Sequence, residues 1–102
     1  MPKQNMREGD CYHLAGLRIM DEPDAILIHA TVYSPTLGRR IDHALVEVAE
    51  GALIWEPVSN ELFLKDDLYA KFQVKEEARY TYIEMAAHLC RQKHWGPWKG
   101  GN

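Results

Sequence analysis

The sequence predicts an α+β domain: a helix packed on a small antiparallel β-sheet, closed by a C-terminal helix. Three observations carry this. Between residues 25 and 58 lie three alternating, β-branched stretches, "AILIHATVYS", "IDHALVEVAE" and "ALIWEPV". Only short turns separate them, which makes the strands antiparallel neighbours. On either side, "DCYHLAGLRIM" and a stretch that begins "TYIE" read as helices.

Asp10 is a good N-cap for the first helix, because its carboxylate can accept the free amide hydrogens. Leu14, Ala15, Leu17, Ile19 and Met20 give residues 10–20 an apolar surface wider than a surface helix carries, so the helix is expected to be buried. "DEPD" stops it, since Pro23 cannot continue a helix and the residue before it avoids the α region. "PTLGRR" supplies the next turn and "EG" at 50–51 a tighter one. Pro57 ends the third strand or sets its tail at an edge. Residues 58–80 then hold a short strand, a helical turn near 66–71 and a strand reaching Tyr80. Thr81 and Glu84 form a capping box. The helix they open runs to about His94, with Ile83, Ala86, Ala87 and Cys90 on one face, and Gly96 and Pro97 stop it. Trp95 and Trp98 are expected to close over the sheet.

A chain of 102 residues supports a single core, so residues 1–102 are read as one domain. Its 46% hydrophobic and 26% charged residues are those of a soluble globular protein. The net charge of −3 disfavours nucleic acid as a partner. The start is polar, with no signal-peptide core, and no apolar run reaches the roughly 20 residues of a membrane span. These features predict a cytoplasmic protein with no membrane partner. Two cysteines are too few for a disulfide framework, so Cys11 and Cys90 are expected as free thiols.

The stretch "DHALVEV" opens a core strand with an ionisable pair, Asp42 and His43. Cys11 stands in the first turn of its helix, where free amides and the helix dipole favour a thiolate. The same amides could hold an oxyanion. His43 could take and return the proton. A third group must orient the imidazole. In a hairpin about the "EG" turn, residues near 44–46 lie opposite residues near 55–57, which brings Glu56 beside His43. Asp42 is the other carboxylate at hand, but adjacent strand residues point to opposite faces, so Glu56 is preferred. Glu47 shares the His43 face but lies too far along the strand. The bland alternatives are a buried hydrophobe for Cys11, a backbone-bonded histidine for His43 and an edge carboxylate for Glu56. A zinc reading through Cys11, His13, His29, His43 and Glu56 lacks any familiar ligand spacing, so no metal and no cofactor are expected.

"GDCYHLA", followed by "HALVEV" and "IWEP", resembles the transglutaminase-like and papain-like cysteine enzymes. The likeness extends to small, uncharacterised bacterial and phage-encoded versions whose ends also read like "HWGPW", and it covers roughly residues 5–98. It implies Cys11 as nucleophile, His43 as general base and acid, and Glu56 as the orienting residue. It also implies an oxyanion side chain upstream of the cysteine, for which Asn5 and Gln4 stand in place. Three features depart from the family: Glu where Asp or Asn is usual, Leu45 where an aromatic is common, and about half the usual length, with no second lobe. The expectation is a minimal papain-like or transglutaminase-like fold. It would act as a cysteine hydrolase on a peptide or small acyl or amide substrate, as a monomer. The rival is a non-catalytic binding module of a phage or mobile-element assembly that uses the same fold.

Overall fold

The computed structural model describes residues 10–98. The chain runs α1 (Asp10–Asp21), β1 (Ile26–Ser34), β2 (Arg39–Val48), a 3-10 turn (Ala49–Gly51), β3 (Leu53–Glu56), β4 (Glu61–Leu64), α2 (Lys65–Phe72), β5 (Lys75–Tyr80) and α3 (Tyr82–Gln92). The strands form one antiparallel sheet in the order β4-β3-β2-β1-β5. The architecture is the α+β class that the sequence predicts, and residues 58–80 hold the expected strand, helix and strand.

Alternation along β1 and β2 divides the core between the two sheet faces. Leu27, Ala44 and Val46 pack with Cys11, Ala15 and Ile19 of α1 and with Met85 of α3. Ile28, Ala30, Leu45 and Ile54 pack with Leu68 of α2. Among the described residues, two helices therefore cover one face, and the two-turn helix α2 serves the other.

The helices differ from expectation in which sides they bury. Asp10, expected at the cap, is the first helical residue of α1. Leu17 and Met20 are exposed, so α1 is amphipathic and not buried all round. Its buried stripe is Cys11, Tyr12, Ala15, Gly16 and Ile19, the spacing of one helix face. In α3, Ile83 is 72% exposed, and Ala87 and Cys90 are exposed too. The inward side is instead Tyr82, Met85 and Leu89. Apolar residues stand on both sides of this helix, so periodicity alone does not choose between them. The capping box does form: Glu84 N donates to Thr81 Oγ1 at 3.2 Å, and Thr81 N donates to Glu84 Oε1 at 2.9 Å.

The segment after α3 folds back as a plug. Trp98 is 4% exposed and sits in the α1/α3 core, its indole donating to His94 O at 2.8 Å. Trp95 lies against α1, beside His13 and Gly16. A Cβ built on Gly16 would stand 2.4 Å from the Trp95 ring. Glycine at position 16 is what lets the indole come this close to the helix.

Candidate active site

β2 is longer than its neighbour. β3 pairs with it only across Val46–Val48, through Val46↔Trp55, Glu47↔Ile54 and Val48↔Leu53. Among the described residues, no strand pairs with the β3-side edge of β2 before Val46, and His43 stands on that stretch. Pro57 ends β3 one residue past Glu56 and is itself fully buried. Continuing the register sets Glu56 opposite Leu45, a diagonal neighbour of His43 on the same face. Parity puts His43 on the Leu45 side and Asp42 on the other. Asp42 acts on a different histidine, as its charge bears on His29.

His43 Nε2 donates to Glu56 Oε2 at 2.7 Å, and the two side chains are only 14% and 13% exposed. The turn after β3 fixes the carboxylate. Ser59 N donates to Glu56 Oε1 at 2.7 Å, and Val58 N donates to Oε2 at 3.1 Å. The imidazole also hydrogen-bonds the Cys11 side chain. One ring thus bridges the start of α1 and the end of β3.

The electrostatics follow from this bridge. Burial pulls the His43 pKa down, but hydrogen bonds to Cys11 and Glu56, with their charges, outweigh it and raise the pKa to about 9. Burial pushes Glu56 up, but the His43 hydrogen bond, the Ser59 contacts and the His43 charge bring it down to about 2. At neutral pH the ring is an imidazolium held by a carboxylate, beside the Cys11 sulfur. Such a ring can stabilise a thiolate and return a proton to a leaving group.

Access differs among the three. Cys11 is fully buried. His43 and Glu56 line a cavity of about 580 Å³ on the α2 face, together with Val32, Leu45, Phe63 and Phe72. Cys11 is not among its walls. The sequence reading missed this cavity. The signal was there in Leu68 and Phe72, an apolar pair at helical spacing within residues 58–80. It also missed that the "EPVS" turn would hold the Glu56 carboxylate through its own amides.

The other expected residues scatter. Asn5 and Gln4 lie outside the described residues. Glu47 shares the His43 face but belongs to a separate network, with Lys65 Nζ at 2.8 Å and Arg79 at 2.6 Å. His13 is exposed against Trp95, and His29 is buried among Tyr12, Tyr80 and Trp98. Among the described residues, no group of three or more His, Cys, Asp and Glu side chains could hold a metal ion. No helix among them is long and apolar enough to cross a membrane. Compared with protein-family models, with curated proteins and with solved structures, the chain matches none of them.

Proposed function

We propose that the protein is a cysteine hydrolase of the transglutaminase-like or papain-like kind, in which Cys11, His43 and Glu56 transfer an acyl group to water. The observation that carries this is the single imidazole hydrogen-bonded to a thiol at a helix start and to a carboxylate on the next strand. In the first step the Cys11 thiolate bonds to the substrate carbonyl carbon. The bond to the leaving amine, thiol or alcohol breaks, and the His43 imidazolium supplies its proton. In the second step His43 takes a proton from water. The hydroxide so formed displaces Cys11 as thiolate and releases the carboxylic acid. Glu56 holds the ring in place and stabilises the imidazolium that the second step regenerates.

A second reading has one observation in its favour, the complete burial of Cys11. In it the three residues are a structural polar cluster, and the fold is a binding module. Iodoacetamide alkylation of Cys11 against pH separates the two, with Cys90→Ser to remove the exposed thiol. Catalytic use predicts a thiolate that forms well below the ordinary cysteine pKa of about 8.5, and a rise in that pKa in His43→Ala. An ordinary pKa, or no response to His43→Ala, supports the binding module.

A further inference from the structure

The cavity on the α2 face is unusual for so short a chain. Among the described residues, one two-turn helix, Lys65–Phe72, serves this face of the five-stranded sheet and leaves part of it uncovered. The opening measures about 580 Å³, within the range of small-molecule sites. Its walls are aliphatic and aromatic: Val32 from β1, Leu45 from β2, Phe63 from β4, Leu68 and Phe72 from α2. Apolar surface left open to water is unfavourable unless something covers it.

The charges facing the cavity narrow the occupant. The titratable side chains with full charges along it are His43, Glu56, Glu61 and Lys71. His43 and Glu56 neutralise each other at 2.7 Å. Glu61 and Lys71 carry opposite signs. The cavity therefore presents no net charge, which suits an uncharged apolar body better than a charged peptide side chain or a free carboxylate. His43 lines this cavity and also hydrogen-bonds Cys11. A molecule lying along the apolar walls would bring one end to the imidazole.

We propose that this cavity binds a medium-length aliphatic acyl chain, presented as a neutral ester, thioester or amide with its carbonyl toward His43. The proposal names the substrate class for the hydrolase reading above and rests on it for turnover, but not for binding. The chain buries its methylenes against Val32, Leu45 and Phe72. Each methylene removed from water stabilises the complex, so affinity and turnover grow with chain length until the cavity is filled.

The test uses p-nitrophenyl acetate and p-nitrophenyl octanoate, with Cys11→Ala as the blank. In parallel, calorimetric titration of Cys11→Ala with octanamide and acetamide reads binding without turnover. The expected result is a kcat/KM at least about tenfold higher for octanoate, well under the ceiling that the added methylenes allow. Val32→Phe, which fills the cavity, should erase the preference, and octanamide should bind where acetamide does not. Phe72→Trp, on α2 at the cavity wall, repeats the test if Val32→Phe fails to fold. Cys11-dependent turnover without length preference overturns the acyl-chain proposal and leaves the hydrolase reading intact. Saturable octanamide binding lost in Val32→Phe, with no turnover of either ester, upholds the cavity and sinks the hydrolase reading. No octanamide binding and no length preference overturn the cavity proposal outright.

Discussion

Glu56 accepts a hydrogen bond from His43 at 2.7 Å while two amides of its own turn, Val58 N and Ser59 N, hold the same carboxylate. The carboxylate is thus positioned from behind by the backbone and from in front by the ring. Removing it should leave a largely buried ring without its carboxylate partner. We expect Glu56→Ala to lower stability by about 3 kcal/mol, the usual scale for stranding one member of a buried pair. The His43 pKa should fall from about 9 toward its ordinary value. Urea unfolding and NMR titration of the ring check both, and an unmoved His43 pKa would show that the carboxylate does not hold the proton.

Three groups, His43, Glu56 and His29, give opposing contributions to the pH dependence of stability. Folding raises His43 above its ordinary 6.5, so its contribution is complete below that pH and is lost as pH rises through about 9. Folding lowers Glu56 below its ordinary 4.5, so its contribution is complete above that pH and is lost as pH falls through about 2. His29 is held neutral, first by burial and then by the His88 charge, and its pKa falls to about 4. The unfolded chain binds that proton more readily, so stability declines from pH 6.5 down to about 4. Stability should peak near pH 6.5, with the first acid losses owed to His29. His29→Leu should flatten that first limb and leave the alkaline limb unchanged. Thermal melts from pH 3 to 10 measure this, and an acid limb unaltered in His29→Leu would refute the assignment.

At Gly16 two effects oppose each other. Alanine is preferred to glycine inside a helix by about 1 kcal/mol. A Cβ at 2.4 Å from Trp95 Cε3 must push the indole off the helix, and overpacking costs about 1–3 kcal/mol. The clash should win. Gly16→Ala is expected to melt lower than wild type with altered tryptophan emission. A higher melting temperature would mean that Trp95 leaves the helix at little cost.

Glu47→Ala serves as a control for the site. Its carboxylate holds Lys65 and Arg79, whose side chains are 27% and 42% exposed. The cations it strands can return to water, so the loss should be about 1 kcal/mol. Cys11 alkylation should follow the same pH curve as wild type. A shifted curve would tie this network to the thiol.

Much of the fold was legible because local signals agreed. β-branched alternation, Pro23, Pro57 and the Thr81/Glu84 box each pointed to the element that forms. The pairing of His43 with Glu56 followed from hairpin register alone, and Val46↔Trp55 matches the predicted alignment. What failed depended on neighbours distant in sequence. Leu17, Met20 and Ile83 look like core residues by type, but the sheet meets only one side of each helix. The burial of Cys11 and the cavity beside His43 are likewise products of packing, set by how little of the sheet α2 covers.

His43 and Glu56 lie on one hairpin, whereas Cys11 arrives from another element. The two kinds of residue therefore answer to different selection. A lineage that gave up chemistry and kept only the need to fold would still gain from the imidazolium–carboxylate pair. It would have less reason to retain a sulfur at position 11, where a small apolar side chain would serve. Under the proposed function, drift away from activity would begin at Cys11 and reach His43 and Glu56 last.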